Sequence, residues 1–314
     1  MNMSTSKIHA KAPKIHVDYA TADDEWKMEV APEIFAKGFP CQQINALTIL
    51  KEAEWCYEKD KVLDIGCGIG RVTREVLLTD QIEQITAFDI IPSYSKYAKE
   101  QNSHEKITFM QLDAGHDWPD KWKGTFDKVF SNECLNMVTD QEKLVKQIFN
   151  TLKPGGEFAA SYFLRVDAFQ IAILTLMAQT KWQKYFSEDS DAVEKAMETA
   201  ESCPWTDENT FAKFLENAGF NVKKCQKIQT WYRPNDYLEW VQFCGEAYSR
   251  FYQQIPYDRQ NEFAKELLPI ILDIENKKLD KLSDKERREY GIEEGSKDYQ
   301  CTEMLILHCE RPLQ

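Results

Sequence analysis

The chain lacks paired-cysteine spacings, clustered histidines, an apolar run long enough to cross a bilayer, and a positive charge balance, and each absence removes a class of function. Its nine cysteines are odd in number, contain no C-x-x-C pair and follow no secretory apolar segment. Free thiols in a cytoplasmic protein are therefore expected, rather than a disulfide framework. The five histidines (9, 16, 104, 116 and 308) share no ligand spacing with the cysteines, which argues against a metal site. Ala168 to Ala178, the longest apolar segment, is interrupted by Gln170 and is far too short to span a membrane, so it reads as a buried helix. Lys and Arg number 39 against 52 Asp and Glu, a net charge of −13, so unspecific adhesion to nucleic acid or an anionic membrane is not expected. Met1 to His16 carries Lys7, Lys11 and Lys14 with no acid, no Arg and no apolar pattern. A disordered tail, taken to residue 22, is expected there rather than a mitochondrial presequence.

What remains is an ordinary globular composition over 314 residues, 43% hydrophobic and 29% charged. Its organising stretch is Lys61-Val-Leu-Asp-Ile-Gly-Cys-Gly-Ile-Gly-Arg-Val-Thr73. Val62, Leu63 and Ile65 read as a buried parallel strand, Gly66, Gly68 and Gly70 as a tight turn, and Arg71 as the approximate start of a helix. Such a turn lets backbone approach a ligand closely, and the helix N-terminus adds unpaired N–H groups and partial positive charge. The dinucleotide fingerprint G-x-G-x-x-G is missing, because its last position falls on Arg71. Asp64 precedes the glycines, where it could accept from a cationic amino group and from the turn's own amides. Asp89 ends a second apolar run roughly 20 residues on, where folds of this kind place a ribose-binding carboxylate.

Further along, Cys41 to about Tyr57 has helical spacing and leads into the first strand, so it could wall the site or simply pack on the sheet. Pro92 opens a helix to about Asn102. Ile107 to Leu112 gives a third strand ending at Asp113-Ala114, and Asp113 either meets a ligand or caps the next turn. Phe126 to Ser131 is a fourth strand and Gln141 to Leu152 a helix stopped by Lys153-Pro-Gly-Gly-Glu157. Phe158 to Phe163 is a fifth strand. Short strand–helix–strand connections imply right-handed crossovers and a doubly wound, Rossmann-like α/β sheet. Seven strands are expected, Asn221–Thr230 as the sixth and Thr302–His308 as a last, central and antiparallel one. Asp64, Asp89, Asp113 and Ser131 all stand at strand carboxyl ends, where ligands collect in such sheets. One domain over 23–314 is expected, with helical cap elements at about 165–203 and 234–280. The insertion from Arg165 to Cys203 is rich in bulky apolar residues and is placed to fold back as a lid. Thr206 to Thr210 reads as a capped helix start, and Leu279–Gln300 as a charged loop.

The Asp-x-Gly-x-Gly-x-Gly pattern with its downstream acid resembles the cofactor-binding signature of class I S-adenosylmethionine-dependent methyltransferases. That resemblance implies S-adenosylmethionine as cofactor, held by Asp64, Gly66, Cys67, Gly68, Asp89, Ile90, Asp113, Ala114 and Ser131. With Lys153-Pro-Gly-Gly156, Phe211 to Phe220, the Ile255-Pro to Ile274 helix and Lys181-Trp182, residues 38–312 look similar to the insect juvenile hormone acid O-methyltransferases. Those enzymes methylate the carboxylate of farnesoic or juvenile hormone acid. The family's Gln-x-x-Asp-Ala is matched by Gln42-Gln-Ile-Asn-Ala46, with Asn45 in the Asp position. Its Cys-Leu-His-Trp departs here to Cys134-Leu-Asn-Met137, which bears on the acceptor and not on the cofactor.

A carboxylate acceptor is ionised at neutral pH and needs no general base, so orientation and desolvation can suffice. Gln42 and Asn136 are the candidate catalytic residues that position the acceptor, and Met137, Phe163, Trp182 and Phe186 are expected to line its pocket. The expected partner is a hydrophobic small-molecule carboxylic acid, and self-association into a homodimer is left open. Two rivals stand beside this reading. One is methylation of a small amine, with Glu133 holding the cation, and the other is a cofactor-binding protein that works as an interaction partner without catalysis.

Overall fold

The computed structural model describes residues 30–163, 168–186 and 207–313. The expected N-terminal tail and the part of the insertion from residue 187 to 206 lie outside the described residues. Seven strands form one sheet: β1 (Asp60–Ile65), β2 (Ile82–Asp89), β3 (Ile107–Gln111), β4 (Phe126–Ser131), β5 (Leu152–Phe163), β6 (Asn221–Tyr232) and β7 (Gln300–Glu310). Their order is β3-β2-β1-β4-β5-β7-β6. The first five pair in parallel, and β7 lies antiparallel between β5 and β6. Strand order therefore reverses between β1 and β4, where Ile65 stands opposite Phe88 on one side and Ser131 on the other.

Alternation along each strand feeds two faces. Leu63, Ile65, Val129, Phe158 and Ala160 pack into the layer that holds α4 (Gln141–Thr151) and α7 (Glu208–Asn217). Val62, Phe130 and Ala159 face the opposite layer with α2 (Phe39–Ala53) and α3 (Pro92–Gln101). Helix α4 starts where the Asp140 carboxylate accepts the Lys143 N–H, and α7 where Asp207 accepts that of Thr210.

A third cluster, of apolar residues, gathers the remaining helices together with residues that follow the first two strands. It joins α1 (Pro32–Phe35), α5 (Ala168–Met177), α6 (Thr180–Gln183), α8 (Tyr237–Tyr248), α9 (Arg250–Gln254) and α10 (Tyr257–Leu279). Trp182, Phe263, Leu267 and Ile271 from these helices share one cluster with Ile69 of the glycine turn and Ile91 beyond β2. The inserted helices thus belong to the same apolar cluster as the turn that follows β1.

Three local expectations are corrected. The helix expected from Arg71 continues as a π-turn over Thr73–Leu77. Strand β5 begins at Leu152, and Lys153-Pro-Gly-Gly156 lies within it as the irregularity where pairing jumps from Phe126↔Leu152 to Lys128↔Glu157. Arg311 completes that corner, exchanging backbone bonds with Gly155 and Gly156 while its guanidinium closes the carbonyls of Phe149, Asn150 and Leu152. The segment 279–300 is not all loop, because α11 (Asp284–Glu289) forms in it behind a capping box made by Ser283 and Glu286.

Candidate active site

The turn after β1 is built from backbone. Gly66 and Cys67 both donate to the Phe88 carbonyl, at 2.9 and 3.0 Å, which stitches the turn to β2. Gly66 sits at φ +71, and a Cβ on it would land on the Sγ and Cβ of Cys134. Glycine is thus required there twice over, by the left-handed backbone and by the close approach of the loop after β4. The Gly68 N–H donates to Asp89 Oδ2 at 2.9 Å, and the Ile91 N–H to Asp89 Oδ1 at 2.9 Å. One carboxylate therefore ties both sides of the cleft. Asp64, fully enclosed at the end of β1, accepts from Thr73 Oγ1 at 2.6 Å.

Neither carboxylate has a Lys or Arg partner among the described residues. Burial pushes Asp64 up to about 7, against the opposing Thr73 bond and with help from Asp89. Burial raises Asp89 too, against the backbone N–H groups of Ile91, Gly68 and Ile90 that favour its charge. Two carboxylates without counter-ions at adjacent strand tips are a waiting complement for a positively charged ligand. Burial likewise drives the Cys67 thiol well above its usual range, so it is no nucleophile.

The remaining cofactor candidates divide. Ile90 is 56% exposed beyond β2 and presents an open apolar surface to the cleft edge. Asp113 caps its own turn, accepting from Gly115 N at 2.8 Å and pairing with His116 Nδ1 at 2.6 Å. Ala114 is buried, and its carbonyl accepts from Trp118 Nε1 and Gln147 Nε2. Ser131 is fully buried and donates to the Ile65 carbonyl at 2.9 Å, so its hydroxyl binds β4 to β1. Sequence reasoning had no signal for Phe35, whose ring would lie 3.1 Å from a Cβ on Gly68 and packs on Tyr94 at 4.8 Å.

Across the cleft, the loop after β4 carries the acceptor candidates. Glu133 adopts φ +59, an unusual backbone for its type. Its N–H donates to Ser161 Oγ at 3.0 Å, and its carboxyl accepts from Asn45 Nδ2 at 2.6 Å. Asn45 is fully buried on α2 and accepts in turn from Thr230 Oγ1 at 2.6 Å. Asn132 donates to the Gln42 backbone carbonyl at 3.1 Å, which ties α2 to this loop, while the Gln42 side-chain amide is engaged by none of the described residues. Asn136 is 5% exposed and its Oδ1 has no hydrogen-bond partner among the described residues. Met137 is 37% exposed, and Phe163 is half-buried at the end of β5. Trp182 and Phe186 instead lie in the packed interior of the helical roof, Trp182 against Phe263 at 4.8 Å with its Nε1 donating to Glu266. They back the roof rather than face open space.

Among the described residues no helix is long and apolar enough to cross a membrane. The model of the methyltransferase-domain family matches residues 57–236. A juvenile hormone acid O-methyltransferase of Bombyx mori is 24% identical over 245 residues, covering 76% of this chain and 85% of that protein. One of Drosophila melanogaster is 23% identical over 218 residues, covering 68% of this chain and 71% of its own. The sterol 24-C-methyltransferase erg6 of Aspergillus fumigatus is 34% identical over 141 residues, but that match covers 43% of this chain and 37% of the relative.

Proposed function

The chain belongs to the methyltransferase-domain family and is a class I S-adenosylmethionine-dependent methyltransferase, and from that premise we propose that it methylates the carboxylate of a hydrophobic acid. The residues suit the cofactor. Asp64 and Asp89 lack cationic partners among the described residues and complement its positive charge, while the glycine turn keeps side chains out of its way. In this reading Asp64, Gly66, Cys67, Gly68, Asp89, Ile90, Asp113 and Ala114 hold it, with Ser131 fixing the strand beneath. When bound, S-adenosylmethionine supplies an electrophilic methyl whose C–S electron pair returns to sulfur as the acceptor oxygen's lone pair forms the new C–O bond.

The chain's own contribution is placement. The observation that carries the acid reading is unused polar capacity in a protein whose helical roof is apolar. The Gln42 amide and Asn136 Oδ1 are unengaged among the described residues, and the helical cluster that holds Trp182 and Phe263 reaches Ile69 and Ile91 beyond the first two strands. That arrangement suits a ligand with one small polar head and an apolar body. Two relatives whose names specify a hormone acid, each matched over most of its length, support a carboxylate as that head. Gln42 would orient it, Asn136 Oδ1, which can only accept, would take a bridging water, and Met137 and Phe163 would flank it. Trp182 and Phe186 would keep the roof rigid and dry, where electrostatic contacts are strongest. An amine acceptor is the second reading, and Glu133, with no cationic partner among the described residues, is the observation that favours it.

Turnover with labelled S-adenosylmethionine over terpenoid acids, fatty acids and small amines tests the proposal, and no methylated acid would overturn it. Gln42→Ala should raise KM for the acid about 10- to 100-fold, the worth of a hydrogen bond to a charged group. Cofactor affinity should hold, and its loss would assign Gln42 to the other side of the cleft.

A further inference from the structure

Glu133 is held with more care than a solvated loop residue needs. Two elements bond to it directly, α2 through Asn45 and β5 through Ser161, and each of these is braced in turn: Asn45 by Thr230 of β6, and Ser161 by Asn132, which accepts from its Oγ at 3.2 Å. Asn45 spends both ends of its amide on this arrangement, donating to Oε1 and accepting from Thr230. The other carboxyl oxygen of Glu133 is engaged by none of the described residues. The next residue, Cys134, packs against Gly66, so Glu133 stands one residue from the glycine turn. Gln42 lies one helical turn before Asn45, on the same side of α2. An oriented carboxyl with one oxygen unengaged among the described residues therefore stands near the Gln42 amide and the Asn136 oxygen, neither of which has a partner among them.

A half-buried carboxyl without a cation must either take a proton or meet a positive ligand. Facing a carboxylate acceptor, it has only the first course, because two carboxyl groups in contact carry one negative charge between them. Resting on the acid reading above, we propose that Glu133 stands protonated in the acceptor site and donates its hydrogen to the acceptor's carboxylate, selecting acids that can share that proton. The proton stays on Glu133 throughout: the acceptor's other oxygen forms the ester bond, and no base is consumed. Burial supports the protonated form, lifting Glu133 to about 7 against the Asn45 bond that favours its charge. Among the described residues, the titratable neighbours are the thiols of Cys41 on α2 and Cys134, both pushed up by burial and neutral across this range, and beyond Cys134 the carboxyls of Asp64, Asp89 and Asp113 at the strand ends; burial lifts Asp64 to about 7 as well, so the Glu133→Gln profile is what isolates the Glu133 part. Ser161, Thr230 and Thr302, presented by β5, β6 and β7, do not titrate there.

The sign follows directly. Below about 7 the donor is present and an aliphatic acid is already ionised above roughly 5, so acid binding should be tightest between these limits. Above them it should weaken by up to about tenfold per pH unit. The test uses the full chain saturated with S-adenosylhomocysteine and titrates dodecanoic acid and dodecylamine calorimetrically from pH 5.5 to 8.5, with methylation of the acid followed in parallel. Wild type should lose dodecanoate affinity as pH rises. Glu133→Gln, which keeps a donor that does not titrate, should bind dodecanoate with a flat pH profile, and Glu133→Ala should bind it weakly at every pH. Retained S-adenosylhomocysteine binding shows that each variant is folded. Acid methylation with a pH-independent or rising wild-type affinity, or loss of dodecanoate binding in Glu133→Gln, overturns this role of Glu133 and leaves the acid reading standing. Dodecylamine bound more tightly than dodecanoate, and released by Glu133→Gln, overturns both in favour of an ionised Glu133 and an amine.

Discussion

Asp89→Asn is the substitution that best separates a structural tie from a ligand contact. Asp89 is 9% exposed and accepts two backbone donors, Gly68 N–H on one oxygen and Ile91 N–H on the other. An amide has one accepting oxygen, so one of these N–H groups must face an NH₂ and lose its partner. A hydrogen bond to a charged group contributes about 1.5–3 kcal/mol, and the stranded donor is buried. Against this, Asn removes the cost of burying an uncompensated charge, which burial already opposes by raising the Asp89 pKa. The net loss in the ligand-free protein should therefore be about 1–2 kcal/mol, read as a fall in the urea midpoint at unchanged slope. Cofactor binding adds a separate quantity. If the carboxylate meets the ribose hydroxyls, the lost charge-assisted bond should weaken S-adenosylhomocysteine about 10- to 100-fold by calorimetry. A dissociation constant within about threefold of wild type, alongside the expected loss in urea, would show that Asp89 only staples the turn and would refute its assignment to the cofactor.

Two further substitutions read other parts of the cleft. Gly66→Ala combines a left-handed φ of +71 with a Cβ driven into Cys134, whereas Gly124→Ala meets nothing within 4 Å at φ +61. The second should cost only the backbone term of about 1–2 kcal/mol, so thermal unfolding should show a clearly larger drop for Gly66→Ala, with cofactor binding lost; equal drops would mean that the loop after β4 yields freely. Asp64 sets a pH dependence. A carboxyl raised from its usual value to about 7 binds its proton more tightly folded than unfolded, so its stabilising contribution is full below about 4 and is lost as pH rises through about 7. The ligand-free melting temperature should fall between pH 5 and 8, and Asp64→Asn should flatten part of that slope; a wild-type profile already flat there would contradict the burial of an unpaired Asp64.

The strands and the glycine turn were legible because their signals are local. A run such as Val62-Leu63-Asp64-Ile65 followed at once by glycines leaves little choice, and the positions of Asp64, Asp89 and Asp113 follow from where each strand stops. Lys153-Pro-Gly-Gly156 reads as a helix stop and is one, yet it also enters β5, because the backbone partner that draws it in is Arg311, far away in sequence. Helix α11 was hidden because it buries no residue of its own, and capping and charge rather than an apolar stripe hold the turn. Trp182 and Phe186 carried the signature of a pocket wall, but the same residues fill a roof when α10 supplies Phe263 opposite them.

The two halves of the cleft also differ in what sets them, and this explains why the cofactor could be read and the acceptor only proposed. On the cofactor side the contacts are backbone N–H groups and carboxylates at strand ends, so any sequence that keeps the strand, the glycines and two acids keeps the site. On the side proposed for the acceptor the geometry rests on Asn45, Thr230, Ser161 and Glu133, which come from four segments and meet only when the sheet has closed. No local pattern announces that Asn45 will face Glu133, and a one-atom change at either would alter the charge offered to the acceptor while leaving the fold intact. Asn136 and Met137 likewise take part in none of the bonds that hold Gly66, Gly68 and Asp89 in place, so they could differ without disturbing the glycine turn.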